Sequence, residues 1–180
     1  MPGKLDFITP TFITVFELFL LDPMQEYHER EVMRMTKVSK GSANKILRLL
    51  ADLGFLTREK RGRMVFYKLN LTEAVVRQFK TVVTVYALKE LMNRIKDESR
   101  RIILFGSCAQ GTDTSDSDID LFVLTSAKNL VRRKVREFNR VSDRKIVPIV
   151  VDTNEFTKLK REDKPLYENV ERGIVLWEKE

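Results

Sequence analysis

The chain has 180 residues, 43% hydrophobic and 33% charged, enough for one ordinary domain or two small ones with real cores. No run of about 18 apolar residues occurs, so no membrane span is expected, and one cysteine (Cys108) with one histidine (His28) excludes a disulfide framework and a zinc site built from Cys/His clusters. The formal net charge of +7 is localised: between His28 and Asn70 there are 11 Lys/Arg against four acids, so this quarter of the chain carries the whole excess. Such asymmetry points to an acidic partner for the first part only. The expected compartment is the cytoplasm.

In chain order, "FITVFELFLL" (12–21) reads as a core helix, too short to span a membrane and stopped by "DP". A short helix from Arg30 to Met35 and a turn from Thr36 to Lys40 follow. Ser39 is a good N-cap for a helix ending at Gly54, a good residue just past a helix end. Ala43, Ile46, Leu47, Leu50 and Leu53 fall on one side of that helix, and Lys40, Asn44, Lys45 and Arg48 on the other. "FLTREK" and "MVFYKL" then read as strands joined across Arg61–Gly62–Arg63, a hairpin signal. His28 is most simply a surface residue.

This order of helix, short helix, turn, amphipathic helix and basic hairpin resembles the winged helix-turn-helix of transcription regulators, over roughly residues 9–70. The resemblance implies double-stranded DNA as partner. The helix from Ser39 would enter the major groove with Lys40, Ser42, Asn44, Lys45 and Arg48, while Lys60, Arg61 and Arg63 would lie against backbone or minor groove. A basic face that is merely solvated, on a module that binds protein, is the plainer alternative.

Residues 71–98 hold one or two helices without Gly or Pro. Val75, Phe79, Val82, Val83, Tyr86, Leu88, Leu91 and Ile95 form a wide apolar arc expected to pack against both flanking parts, with a second copy of the chain as a further candidate cover, giving a homodimer.

"RIILFGS" is a buried-strand run that ends in Gly106–Ser107, where glycine allows a tight turn and backbone N–H groups to face a phosphate. Ten residues on, "DIDLFVL" opens a second apolar run with Asp118 and Asp120. Residues two apart in a strand project to the same face, about 6.6 Å apart. Two carboxylates held so repel unless a cation lies between them, and Mg²⁺ is the usual one to take both carboxylate and phosphate oxygens. The plainer alternative is a capped loop, which accounts for Asp113 and Asp116 but not for the pair.

Gly-Ser, ten residues and Asp-x-Asp resemble the signature of the nucleotidyltransferase superfamily that includes DNA polymerase β, and in particular its minimal prokaryotic members. The resemblance covers roughly residues 100–180. It implies that Gly106 and Ser107 hold the β/γ-phosphates of an NTP and that Asp118 and Asp120 ligate Mg²⁺ or Mn²⁺. It also implies a third carboxylate from a neighbouring strand. The candidate strand, "RKIVPIVVDTNEF", follows a helix from Ser126 to Val141 and has no acid at its centre; Pro148 marks it as an edge strand. Asp152 at its end is the tentative third catalytic acid, with capping of the next helix as its other role, and Asp143 is the weaker candidate. A last helix, a turn at Gly173 and a short strand carrying Trp177 into the core complete the chain.

The expected fold is α+β: a winged helix-turn-helix (1–70), a connecting helix (71–98) and a polymerase-β-like mixed sheet with flanking helices (99–180). The expected function is Mg²⁺-dependent transfer of NMP from an NTP to an unidentified acceptor, for which a protein is one candidate, on DNA. The contrary reading is a DNA-binding regulator or antitoxin-like protein whose degenerate transferase domain senses nucleotide.

Overall fold

The computed structural model describes residues 5–179. The chain forms two compact units that divide between Lys80 and Thr81. No helix among the described residues is long and apolar enough to cross a membrane.

The first unit runs α1 (Pro10–Leu21), β1 (Glu26–His28), α2 (Glu29–Thr36), α3 (Lys40–Asp52), β2 (Leu56–Arg61) and β3 (Met64–Leu69). The helix starts are set by local hydrogen bonding, which satisfies N–H groups that have no partner inside the helix. Thr9 caps α1 at Phe12 N, with Pro10 in the first turn. Ser39 caps α3 at Ser42 N. His28 is not a plain surface residue: its Nδ1 accepts from Glu31 N at 3.2 Å while Glu31 accepts from His28 N at 3.0 Å, a reciprocal cap on α2. At the end of α3, Gly54 takes φ +76°, which lets Gly54 N reach Ala51 O and Phe55 N reach Leu50 O.

The three strands form an antiparallel sheet in the order β1-β3-β2, with Arg61 opposite Met64 across a two-residue turn. Its core is aromatic. Phe12, Phe16 and Phe19 of α1 are fully buried, and Phe16 stacks on Phe55 at 5.5 Å with Phe79 edge-on at 5.2 Å.

Residues 71–98 make α4 (Ala74–Ala87), α5 (Lys89–Ile95) and a three-residue 3-10 turn, so they fall on both sides of the division. The rest of the second unit is β4 (Arg101–Phe105), α6 (Gly106–Gln110), β5 (Ile119–Leu124), α7 (Lys128–Phe138), β6 (Ile146–Val151), α8 (Thr153–Glu162), α9 (Lys164–Glu171) and β7 (Ile174–Glu178). The sheet order is β6-β5-β4-β7, with β5 and β6 parallel and the other pairs antiparallel. β6 is an edge strand, as Pro148 signals. Helix α7 stops short of Val141 because the Asn139 amide turns back to pair with both N and O of Ile146, fixing the entry to β6.

The near-continuous apolar runs of β4 and β5 follow from helices on both faces. Ile102, Leu104, Ile119, Leu121 and Val123 pack with Leu88, Leu91, Ile95, Val131 and Val135. Ile103, Phe105 and Phe122 pack on the other side with Val170, Phe156, Leu159 and Leu166. Period two therefore assigns each strand residue to one of two cores and leaves Asp118 and Asp120 on the face of Phe122.

Gly173 sits where β7 docks on β4. A Cβ there would lie 2.5 Å from Leu104 O and 2.5 Å from Ile103 Cγ2, neither of which can retreat without moving the central strand. Gly173→Ala is expected to destabilise the second unit by about 1–3 kcal/mol, as overpacking does, read as a lower urea midpoint at unchanged slope.

Candidate active site and a basic groove

The apolar pairing of β4 with β5 brings two special segments together at one end of the sheet. Phe105, the last residue of β4, pairs with Asp120. Gly106 follows at φ +71° and starts the five-residue helix α6, where a simple turn was expected. A Cβ on Gly106 would collide with Asp120 Oδ2, so a side chain is excluded by both space and backbone. The Asp120 carboxylate itself fills the space a side chain would take, which is the local reason for glycine here. The first N–H groups of α6 lack intrahelical acceptors by construction.

Asp118 stands just before β5 rather than within it. It is fixed through its backbone: Ile119 N donates to Lys145 O at 2.8 Å, and Cys108 Sγ donates to Asp118 O at 3.4 Å. The Asp118 side chain is about half exposed (47%), and Lys145 Nζ lies 3.6 Å from its Oδ2. Asp120 is partly buried. Burial, reinforced by the charge of Asp118, holds its carboxyl above the usual carboxylate range. Cys108 is buried, which pushes its thiol up and makes it a poor nucleophile.

Arg144 was not anticipated from the sequence. It donates from Nη1 to Asp113 Oδ2 at 2.9 Å, and from Nη2 to Ser117 O at 2.9 Å and to Cys108 Sγ at 3.2 Å. One guanidinium thus ties α6, the loop after it and the residue before Asp118. Asp113, read from sequence as a turn former, is a buried ion-pair partner. Arg144 lies in "DRK", which looks solvated, and no spacing rule connects it to Asp113 31 positions away.

The candidate third acids do not join the pair. Parallel pairing sets Asp120 against Val147, so Asp152 is five positions further along, roughly 16 Å away at about 3.3 Å per residue. Asp152 instead caps α8 at Asn154 N and Glu155 N and binds Lys128 Nζ at 2.9 Å. The Glu155 N–H and Lys128 hold its carboxyl below the usual range. Asp143 is exposed in the turn before β6. Among the described residues no three His, Cys, Asp or Glu side chains converge as a metal-holding group. Two neighbouring carboxylates, Asp118 half exposed and Asp120 partly buried, still fit a hard divalent cation that takes its other oxygens from a phosphate ligand.

The first unit has its own concave feature, a cavity of about 660 Å³ lined by Arg30, Lys40, Asn44, Arg48, Arg58 and Arg63 among others. Lys40, Asn44 and Arg48 come from successive turns of α3. Asn44 Nδ2 donates to Glu29 Oε2 at 2.5 Å, which orients its amide. Ser42 joins the helix cap through its hydroxyl, and Lys45 and Lys60 are exposed outside this lining. Arg61 is committed elsewhere, bound by Glu26 at 2.7 and 3.2 Å and by Glu59, with its guanidinium 5.0 Å from the Phe66 ring centre. Arg30 and Arg58 take part in the groove although sequence spacing did not select them.

Replacing Arg144 by Met keeps the volume but removes the guanidinium from buried Asp113. A loss of roughly 3 kcal/mol in urea unfolding is expected, the low end for losing one partner of a buried pair, with faster amide exchange confined to 106–118.

A family model described as "Nucleotidyltransferase domain" matches residues 86–176, just over half of the chain. Two solved structures are similar to part of it. One is a mutant of the toxin-antitoxin MntA-HpeT, 24% identical, with a TM-score of 0.38, covering 53% of this chain and 74% of that one. The other is the toxin-antitoxin with AMP-PNP, 26% identical, with a TM-score of 0.38 and the same coverage. No curated protein matches. With the match spanning β4, α6, β5 and the carboxylate pair, the chain belongs to the nucleotidyltransferase domain family.

Proposed function

We propose that this protein is a cytoplasmic nucleotidyltransferase that uses Mg²⁺ or Mn²⁺ to move NMP from an NTP to an acceptor, while a winged helix-turn-helix holds it on double-stranded DNA. The observation that carries the transferase reading is the pair Asp118 and Asp120 beside Gly106 inside the family segment. Asp118 and Asp120 hold the cation. When bound, the cation neutralises triphosphate oxygens and the charge that develops on the departing pyrophosphate. Gly106 lets the backbone approach, and Ser107 with the free N–H groups of α6 meets the β/γ-phosphates. Arg144 keeps that loop in one conformation, so little ordering remains when the nucleotide arrives.

The DNA reading is supported by the order α1-β1-α2-α3-β2-β3, the sheet order β1-β3-β2 and the groove between α3 and the hairpin. Its contact set is Lys40, Ser42, Asn44, Lys45, Arg48, Lys60 and Arg63, extended by Arg30 and Arg58. Arg61 contributes little, because its charge is already balanced by two acids.

One observation favours a second reading, a DNA-binding regulator whose transferase domain senses nucleotide without turnover. The strand beside the carboxylates offers Val147 and Lys145, not an acid, to activate an acceptor hydroxyl.

Calorimetry with each of the four NTPs is expected to detect binding that requires Mg²⁺ and is lost in Asp118→Asn; absence of binding for every NTP removes both readings of the second unit. For the first unit, DNA affinity is expected to fall steeply with salt. Arg48→Ala should reduce that slope by about 1 and Arg61→Ala should leave it alone. Affinity independent of salt in the wild type overturns the DNA assignment.

A further inference from the structure

The cation nearest the carboxylate pair has no role in the reading above. Lys145 Nζ is 3.6 Å from Asp118 Oδ2. The parallel ladder begins at Ile119 with Ile146, and the Ile119 N to Lys145 O bond extends it by one step, so Lys145 stands directly beside Asp118. Val147 stands beside Asp120. The neighbouring strand thus presents one ammonium and one hydrocarbon to the two acids.

The chain leaves little freedom in this placement. Arg144 is turned inward by Asp113, Ser117 and Cys108. Lys145, the next residue, lies on the open side. Its backbone is anchored by the ladder, while its side chain is 69% exposed and free to move its head through several ångströms.

We propose that Lys145 is the resident counter-ion of Asp118, a charge-setting residue that weakens binding of a free divalent cation to the pair and moves to a phosphate oxygen when a metal–nucleotide complex enters. This rests on the carboxylate pair being the cation-holding part of a nucleotide site. The pair alone presents two negative charges, and Lys145 cancels one of them, so a bare metal ion meets roughly half the attraction. A metal–triphosphate complex brings its own acceptor for the ammonium, so the same lysine opposes metal alone and favours metal with nucleotide. The site then fills as a unit rather than stepwise.

Two readouts of opposite sign test this, and a merely structural lysine would move neither in this pattern. Mn²⁺ is titrated into the full chain without nucleotide, and again with whichever of the four NTPs binds the wild type most tightly. Lys145→Ala should tighten Mn²⁺ alone by about 5-fold, the scale of an exposed charge pair, and weaken the Mn²⁺–NTP complex by a similar factor. Lys145→Glu, which sets a third carboxylate beside Asp118, should tighten Mn²⁺ further, and Lys145→Arg should stay near the wild type in both titrations. Unchanged or weaker Mn²⁺ binding by Lys145→Ala overturns the proposal while leaving the nucleotide site intact. If wild type, Lys145→Ala and Lys145→Glu all fail to bind Mn²⁺ with or without nucleotide, the site reading fails and this one with it.

Discussion

The second unit is organised around an electrostatic conflict: two carboxylates at the start of a strand whose every other residue is apolar. Asp120 pairs with Phe105 in the middle of the sheet and cannot leave, because β5 is held on both sides by β4 and β6. The chain answers with a residue that has no side chain, so that the Asp120 carboxylate can lie against its backbone. Gly106 takes a left-handed conformation that only glycine adopts at low cost, and Asp120 Oδ2 occupies the place its side chain would have taken. Asp118, one step outside the ladder, meets water and a mobile lysine. A charged site is thereby built on the stiffest part of the unit, where its geometry is set by backbone pairing rather than by loops.

Charges elsewhere fall into two kinds, and the difference decides what the net charge of +7 means. Arg144 with Asp113, and Arg61 with Glu26 and Glu59, are internally balanced. The former is partly buried and restrains a loop; the latter is exposed and adds little stability. The cations lining the groove come from α2, α3 and the hairpin. A count of Lys and Arg overstates the basic surface, because it cannot tell a guanidinium aimed outward from one already shared between carboxylates.

The same limit marks what the sequence could and could not reveal. Glycine, serine and the spaced aspartates were legible because each carries a local backbone requirement, and Pro148 marked the edge strand for the same reason. Caps and apolar spacing likewise gave α3 and the β2–β3 hairpin to within a residue or two. Strand register was not legible. It alone decides that Val147 rather than Asp152 stands beside Asp120, and nothing in "RKIVPIVVD" says which end of β6 meets the aspartates. The capping role of Asp152 was in view from "DTNE", and once the register is known, capping is the role its surroundings support. Arg144 and the pairing of Arg61 with Glu26 were missed because the partners are 31 and 35 residues away, beyond any local pattern.

The raised carboxyl of Asp120 links site and stability through one free energy. The folded state holds a proton there more tightly than the unfolded chain does, since both burial and the Asp118 charge disfavour the anion. Its contribution to stability is therefore fully present below the ordinary carboxylate range and is lost as pH rises through the raised value. Above the raised value the protein without a bound cation carries that penalty. A divalent cation binding to the folded pair relieves it, and so adds stability by mass action that the unfolded chain cannot share. The strain that makes the empty pair unfavourable is the same quantity that draws a cation to it, and Lys145, by cancelling part of the charge, sets how much of it is left for the metal.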